Sequence, residues 1–165
     1  MSKLSSSSTA DMYLTVKSAR AGTIKGEAVA ADHLDEIVVY GWHWGMAANT
    51  DAASRGGSGT PARRSLRPFV IDKGLDRAST SLMAALVNND VIKSAVLSMR
   101  VAGAGQQDFT KITLTNGTLI DIECTADDDG LVHERVTFSY AHASVEYRPS
   151  DKGSVGATSS FDVDA

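Results

Sequence analysis

Apolar and polar residues alternate one by one through much of this chain, and a period of two dictates strands, because successive side chains on a strand point to opposite faces. Met12-Tyr13-Leu14-Thr15-Val16-Lys17 alternates in this way. In the stretch from 93 to 101, Lys93, Ala95, Leu97, Met99 and Val101 share one face, and Ser94, Val96, Ser98 and Arg100 share the other. Ile112 and Leu114 alternate with Lys111, Thr113 and Thr115, and Ile120, Ile122 and Cys124 alternate with Asp121 and Glu123. Ile37 to Trp44 reads as one strand, with Val38, Tyr40, Trp42 and Trp44 on one side and Ile37, Val39, Gly41 and His43 on the other. Leu66 to Asp72 reads as another, and its Pro68 marks an edge or a strand start, since proline has no N–H to give a ladder. About seven strands of this spacing predict a small antiparallel barrel or sandwich.

Only one segment has helical spacing. Leu82, Met83 and Leu86 fall on one face; Ser79 is the expected N-cap, and Asn88-Asn89 the expected stop. Asn116-Gly117 signals a hairpin, and Asp127-Asp128-Asp129-Gly130 a solvated turn. Between Arg135 and Arg148 the apolar face switches: Val136, Phe138 and Tyr140 lie on one side, then Ala141, Ala143, Val145 and Tyr147 on the other. Either a bulge or a strand that leaves one sheet produces that pattern. Residues 1–11 are Ser-rich and read as a flexible leader, 12–149 as one domain, and 150–165 as a C-terminal tail. Ala47 to Ser65 has no large apolar residue and holds Gly56, Gly57, Gly59 and Pro61, so it reads as a long structureless connection, functional or disordered.

Composition excludes several functions. The 165 residues carry 16 Lys and Arg against 20 Asp and Glu, a formal net charge of −4, which does not suit a phosphate backbone as main partner. Cys124 is the single cysteine, so there is no internal disulfide framework. No apolar run of about 18 residues is present, and the first residues lack the apolar core of a signal peptide, so neither membrane insertion nor a cleaved leader is expected. Gly56-Gly57-Ser58-Gly59 lacks the Lys-Ser/Thr of a phosphate-binding loop. His33, His43, His133 and His142 form no local metal-ligand motif, and no nucleophile elbow occurs. The expectation is therefore no catalytic residue, no cofactor and no metal.

Three features remain as candidate sites. Trp42 and Trp44 are expected core anchors, which forces the intervening His43 to the opposite face. Arg55, Arg63 and Arg64 are either a solvated loop cluster or anchors for carboxylates on a neighbouring subunit.

Several runs together resemble the haemolysin-coregulated protein (Hcp) family. They are Ile24-Lys25-Gly26-Glu27, Asp35-Glu36-Ile37, Trp42-His43-Trp44-Gly45, Phe69-Val70-Ile71-Asp72-Lys73 and Ala78-Ser79-Thr80-Ser81-Leu82, followed by Glu134 to Ala141 and Val145-Glu146-Tyr147-Arg148-Pro149. The resemblance covers Met12 to Pro149. His43 stands where members carry Ser or Thr, Thr80 where many carry Pro, and Phe161-Asp162-Val163 resembles a reduced form of a Trp-containing C-terminus. The resemblance implies a mainly β fold: a small antiparallel β-barrel of two sheets with one flanking helix, like a phage tail tube. It also implies a structural tube subunit of the type VI secretion system, assembled in the bacterial cytoplasm as hexameric rings that stack, and then secreted. Its implied partners are other copies of itself, the sheath, a VgrG spike and small effector proteins in the lumen. In such a tube His43 faces the lumen or a subunit contact, and the Arg55, Arg63, Arg64 loop reaches a stacked ring. The alternatives are the tail tube of a phage-like contractile particle, a monomeric ligand-binding barrel, and a small hydrolase using His43 or His133 with an Asp.

Overall fold

The structure is a computed structural model that describes residues 10–48, 63–101, 108–151, 154–155 and 157–165. Its strands, in chain order, are β1 (Ala10–Ser18), β2 (Gly22–Ile24), β3 (Ile37–Val39), β4 (Gly41–His43), β5 (Met46–Ala48), β6 (Arg64–Leu66), β7 (Phe69–Gly74), β8 (Ile92–Val101), β9 (Asp108–Gly117), β10 (Leu119–Ala126), β11 (Val132–Phe138), β12 (His142–Tyr147), β13 (Ser150–Asp151), β14 (Ser154–Val155) and β15 (Ser159–Asp164). One α-helix, α1 (Arg77–Val87), and a 3₁₀ turn at Ala31–His33 complete the described elements.

Two antiparallel sheets carry the fold, as expected. The larger runs β15-β12-β9-β8-β1-β2, with β3 also beside β1; the smaller runs β10-β11-β7-β4. The core lies between them: Leu14, Val16, Leu97, Ile112 and Ala143 from one sheet meet Phe69, Ile71, Val136 and Phe138 from the other. The ladders do not close the two sheets into one cylinder among the described residues.

At three places, two read from the pattern as single strands and one as a hairpin, the chain passes between sheets. Ile37 to Trp44 is two strands: β3 pairs with β1 and β4 with β7. The break falls at Tyr40, whose backbone N–H donates to Asp72 O. Ile37 and Val39 therefore face the core before the break and Trp42 and Trp44 after it, while Val38 and Tyr40 are exposed. Val38 and Tyr40 thus do not share the tryptophans' environment. Similarly, β11 belongs to the smaller sheet and β12 to the larger, so the switch of apolar face after Tyr140 marks a strand leaving one sheet.

The third case corrects the hairpin expectation at Asn116-Gly117. β9 pairs with β8 and β12, whereas β10 pairs with β11, so this dipeptide is a corner between sheets. Asn116 does adopt a left-handed conformation, φ 53°. Gly117 is needed for a different reason. A β-carbon there would collide with the Ser139 carbonyl and lie 2.9 Å from Tyr140 Cα, because the two corners pass against each other. Ser139 N–H donates to Thr118 O (2.9 Å), Thr118 N–H to Ser139 Oγ (3.0 Å), and Ala141 N–H to Thr115 O (3.0 Å). Just after this corner the β10–β11 register shifts, so Leu119 is buried and Ile120 exposed, and Cys124 is exposed too. The Asp127–Gly130 turn joins β10 to β11 as expected, with Gly130 at φ 77°.

The connection Ala47 to Ser65 is not structureless at its ends. Ala47 pairs with Ser65 and Ala48 with Arg64 in the β5–β6 ladder. From His43 to Met46 is three steps, but from their partners Val70 to Leu66 is four, so one extra residue is inserted around Pro68. Proline interrupts the ladder there, in keeping with the strand-start expectation. Backbone pairing needs no apolar side chain, which is why composition hid it. The segment 150–165 also enters the fold, because β15 pairs with β12 over His142–Tyr147.

The helix begins one turn earlier than its apolar spacing suggests. Asp76 is the N-cap: its carboxylate accepts from Ala78 N–H, and Ser79, at the third helical position, closes a capping box by accepting from Asp76 N–H. Asn88 caps the C-terminus, and Asn89 takes the left-handed conformation at φ 50°. The same capping pair joins a buried ionic cluster. Lys73, with 0% exposure, donates to Glu134 (2.5 Å), Ser79 Oγ (3.0 Å) and Gly74 O (2.8 Å), and its Nζ lies 2.9 Å from Asp76. Ser79 Oγ in turn donates to Glu134 at 2.8 Å.

Breaking one partner of a buried pair leaves an uncompensated charge, at about 3–5 kcal/mol. Lys73→Met is expected to lower unfolding free energy by that order, and Lys73→Met with Glu134→Leu to recover much of it, as read by urea denaturation. Gly117→Ala is expected to destabilise by about 2 kcal/mol or more, since backbone meets backbone there; an unchanged denaturation midpoint would disprove the contact between corners.

Candidate functional site

Strand β4 presents its residues alternately inward and outward. Trp42 stacks on Phe69 with ring centroids 5.6 Å apart and donates to Met99 Sδ at 3.2 Å. The indole N–H of Trp44 donates to Tyr140 Oη at 2.7 Å, and Tyr140 Oη donates to Arg67 O at 2.8 Å. Both tryptophans are half-buried against the core. Each fills apolar space and finds a partner for its polar edge, the usual requirement for a buried indole. The Trp44–Tyr140–Arg67 chain ties β4, the β11–β12 corner and the start of β7 together.

His43 points away from these rings and is 67% exposed. Its Nε2 lies 3.3 Å from Asp72 Oδ2 on β7, and Asp72 Oδ1 accepts from Arg135 Nε on β11 at 3.0 Å. Asp72 thus sits between His43 and Arg135 in a three-residue polar row across the outer face of the smaller sheet. This hydrogen bond with Asp72 raises the Arg135 pKa further above its ordinary value. Asp72 and Arg135 were not singled out by the sequence, because the register that aligns Gly41, Asp72 and Arg135 across three strands is tertiary. Beside this row, Trp42, Trp44, Arg67, Pro68 and Val70 line an open groove of about 580 Å³.

Arg64 is exposed on β6 opposite Ala48, and Arg63 is exposed just before it. Arg55 lies outside the described residues. His133 is on β11, near Asp127 (3.8 Å).

Two clusters of ionisable side chains were not revealed by the sequence. His33 is buried, stacked on Tyr13 at 4.5 Å, with Nδ1 2.6 Å from Glu36 and Nε2 3.1 Å from Asp108. Arg100 lies over the same Tyr13 ring at 5.2 Å. The 3₁₀ turn is thereby fixed to β1 and β9. The other cluster, around Lys73, brings an amine and the Ser79 hydroxyl within 3.0 Å, a pairing that in an open cleft would suggest nucleophilic chemistry. Here both side chains are sealed, at 0% and 1% exposure, and Lys73 is engaged by two carboxylates. Cys124 sits near the same group, with Sγ 3.8 Å from Glu134. Desolvation, and then the Glu134 carboxylate, push its thiol pKa up, the opposite of what a nucleophilic cysteine requires. Among the described residues no cluster of three or more His, Cys, Asp or Glu is arranged to hold a metal ion.

What this surface serves is narrowed by comparison with known proteins. Residues 13–147 match the family described as type VI secretion system effector, Hcp. A search of curated proteins found no match. Among solved structures, Hcp1 from Salmonella typhimurium superposes with a TM-score of 0.75 at 25% identity, covering 94% of this chain and 95% of that one. A structure described as a type six secretion system protein superposes at 0.80 with 21% identity, covering 93% and 94%. A type VI secretion system effector from Yersinia pestis superposes at 0.73 with 19% identity, covering 94% of this chain and all of that one. With the family match spanning most of the chain and the fold agreeing along its length, this chain belongs to the Hcp family of type VI secretion system proteins.

Proposed function

We propose that this chain is a tube subunit: copies close into hexameric rings, rings stack into the inner tube of a type VI secretion system, and small effectors ride in the lumen. The observation that carries the reading is the family match over residues 13–147 together with the two-sheet fold. Exposed apolar side chains support it. Val29 is 89% exposed, Leu34 64% and Tyr40 63%, and neighbouring copies in a ring would cover such side chains. The partners that follow are other copies, the surrounding sheath, a VgrG spike and effector proteins, with assembly in the bacterial cytoplasm before export. The role is structural and not catalytic, consistent with the sealed Lys73–Ser79 pair and the raised Cys124 pKa.

The outer face of the smaller sheet is the proposed lumenal wall, with His43, Asp72 and Arg135 as its polar lining. The proposed stacking contact is the segment beginning at β5 and ending at β6, where Arg63 and Arg64 pair with carboxylates of a neighbouring ring. Exposed ion pairs contribute only about 0–1 kcal/mol each, so stacking is expected to weaken with salt.

The first test is the mass of the purified protein in solution, with negative-stain imaging. The expected result is a hexamer seen as rings; a monomer across micromolar to millimolar concentration would overturn the tube reading. The second is His43→Ala, which should leave ring mass unchanged and alter retention of co-expressed effectors. Dissociation of the ring would place His43 in a subunit contact instead.

A further inference from the structure

The C-terminal strand β15 is attached to the rest of the protein in an unusual way. It is the outermost strand of the larger sheet and among the described residues pairs with β12 alone, from His142↔Asp164 to Tyr147↔Ser159. One residue of the six, Val163, is buried; the other five are exposed. Hydrophobic burial therefore holds the strand mainly at Val163, opposite Ala143, with Phe161 47% exposed beside Val145.

Next to that point lies the strand's main side-chain connection. His142 on β12 has Nδ1 2.7 Å from Asp164 Oδ1 and Nε2 3.4 Å from Asp162 Oδ1. The two aspartates flank Val163 on β15 and share its outer face. A neutral imidazole has one N–H, so only the doubly protonated ring donates to both carboxylates. Without that charge, two carboxylates two residues apart lose the cation between them.

Among the described residues, no other charged group replaces it. Across the sheet on β9, the residue opposite His142 is Thr115, and Thr113 lies opposite Ser144. On β12 itself the next charged residue on that face is Glu146, which has Lys111 of β9 opposite it.

We infer that β15 is a releasable strap over the edge of β12, latched by the imidazolium of His142 between Asp162 and Asp164 and loosened when the ring gives up its proton. Hydrogen bonding to Asp164, and then to Asp162, outweighs the opposing effect of desolvation and raises the His142 pKa above 6.5. A histidine with a raised folded-state pKa contributes its full stabilisation below the unfolded value, about 6.5. That stabilisation disappears as pH rises through the folded value. The strap is thus closed in mildly acidic solution and loosens as pH rises through the folded-state value of His142. Release uncovers the N–H and C=O groups along the outer edge of β12, a template for another strand.

The test is amide hydrogen exchange of the full-length protein from pH 6 to pH 9, corrected for the intrinsic pH dependence of exchange, with the His142 titration followed by NMR. Opening of β15 is expected to rise roughly two- to fivefold across the His142 titration, in line with loss of an exposed ion-pair contact. Protection of β1 and β8 should stay constant. His142→Gln should give β15 the high-pH opening rate at every pH, and His142→Lys should keep it closed throughout. Opening that is independent of pH, or a midpoint differing from that of His142, would overturn the inference, as would an unchanged profile in His142→Gln. The wild-type comparison of midpoints decides the matter even if a variant folds poorly.

Discussion

A lysine ammonium with no contact with water is expensive to bury, and the surroundings of Lys73 are arranged to offset that expense. Glu134 comes from β11, Ser79 and Asp76 from the first turn of α1, and a carbonyl from Gly74. Each of those groups is also committed elsewhere. Asp76 and Ser79 cap the helix, and Glu134 sits directly opposite Lys73 in the β7–β11 ladder. The helix cannot shift along the sheet without uncapping its own N-terminus and stranding the lysine. One interaction therefore fixes where the helix starts and which strands it covers. No buried side-chain nitrogen or oxygen among the described residues is left without a partner, so the polar groups in this core add specificity without an open deficit.

Around that anchor the chain repeatedly changes sheets. The passages at Tyr40, at Gly117-Thr118 and at Ser139 to Ala141 let a short chain build two layers from few long strands. Two of these passages touch, through Thr118 and Ser139, and the contact is so close that only glycine fits at 117. The aromatic group formed by Trp42, Trp44, Phe69 and Tyr140 links β4 and β7 to the passage at Ser139 to Ala141. Rigid packing of β4 against it is what turns His43 outward, beside Asp72 and Arg135. The polar face proposed as the lumenal wall is thus a consequence of aromatic packing on the other side of the same strand.

Much of this was legible along the chain. The outward position of His43 followed from two flanking tryptophans, and both indoles do pack on the core. The single helix, the Asp127–Gly130 turn and the change of apolar face after Tyr140 were also readable, since each depends on residues close together in sequence. The ionic partners were not. Lys73 and Glu134 are 61 positions apart, and His33 and Asp108 are 75 apart. No spacing rule connects residues so distant, and a lysine within an alternating strand reads as solvated. The β5–β6 pairing was hidden for another reason: backbone hydrogen bonds leave no trace in side-chain composition.

By itself the sequence determined the mainly β class, the two-faced character of the long strands and the absence of a cysteine framework, because a period of two, a helical period and a residue count are local properties. It also carried enough family-specific residues to place the chain among Hcp proteins. Tertiary structure decided which strands belong to which sheet. Asn116-Gly117 has the chemistry of a hairpin, yet the chain turns a corner there, because the segments before and after it find better partners in different layers. Tertiary structure likewise decided that the last residues form β15 and that His142 stands between Asp162 and Asp164. The physical reason is that the register of an antiparallel ladder is set by the whole buried face it must match, not by the residues at the turn.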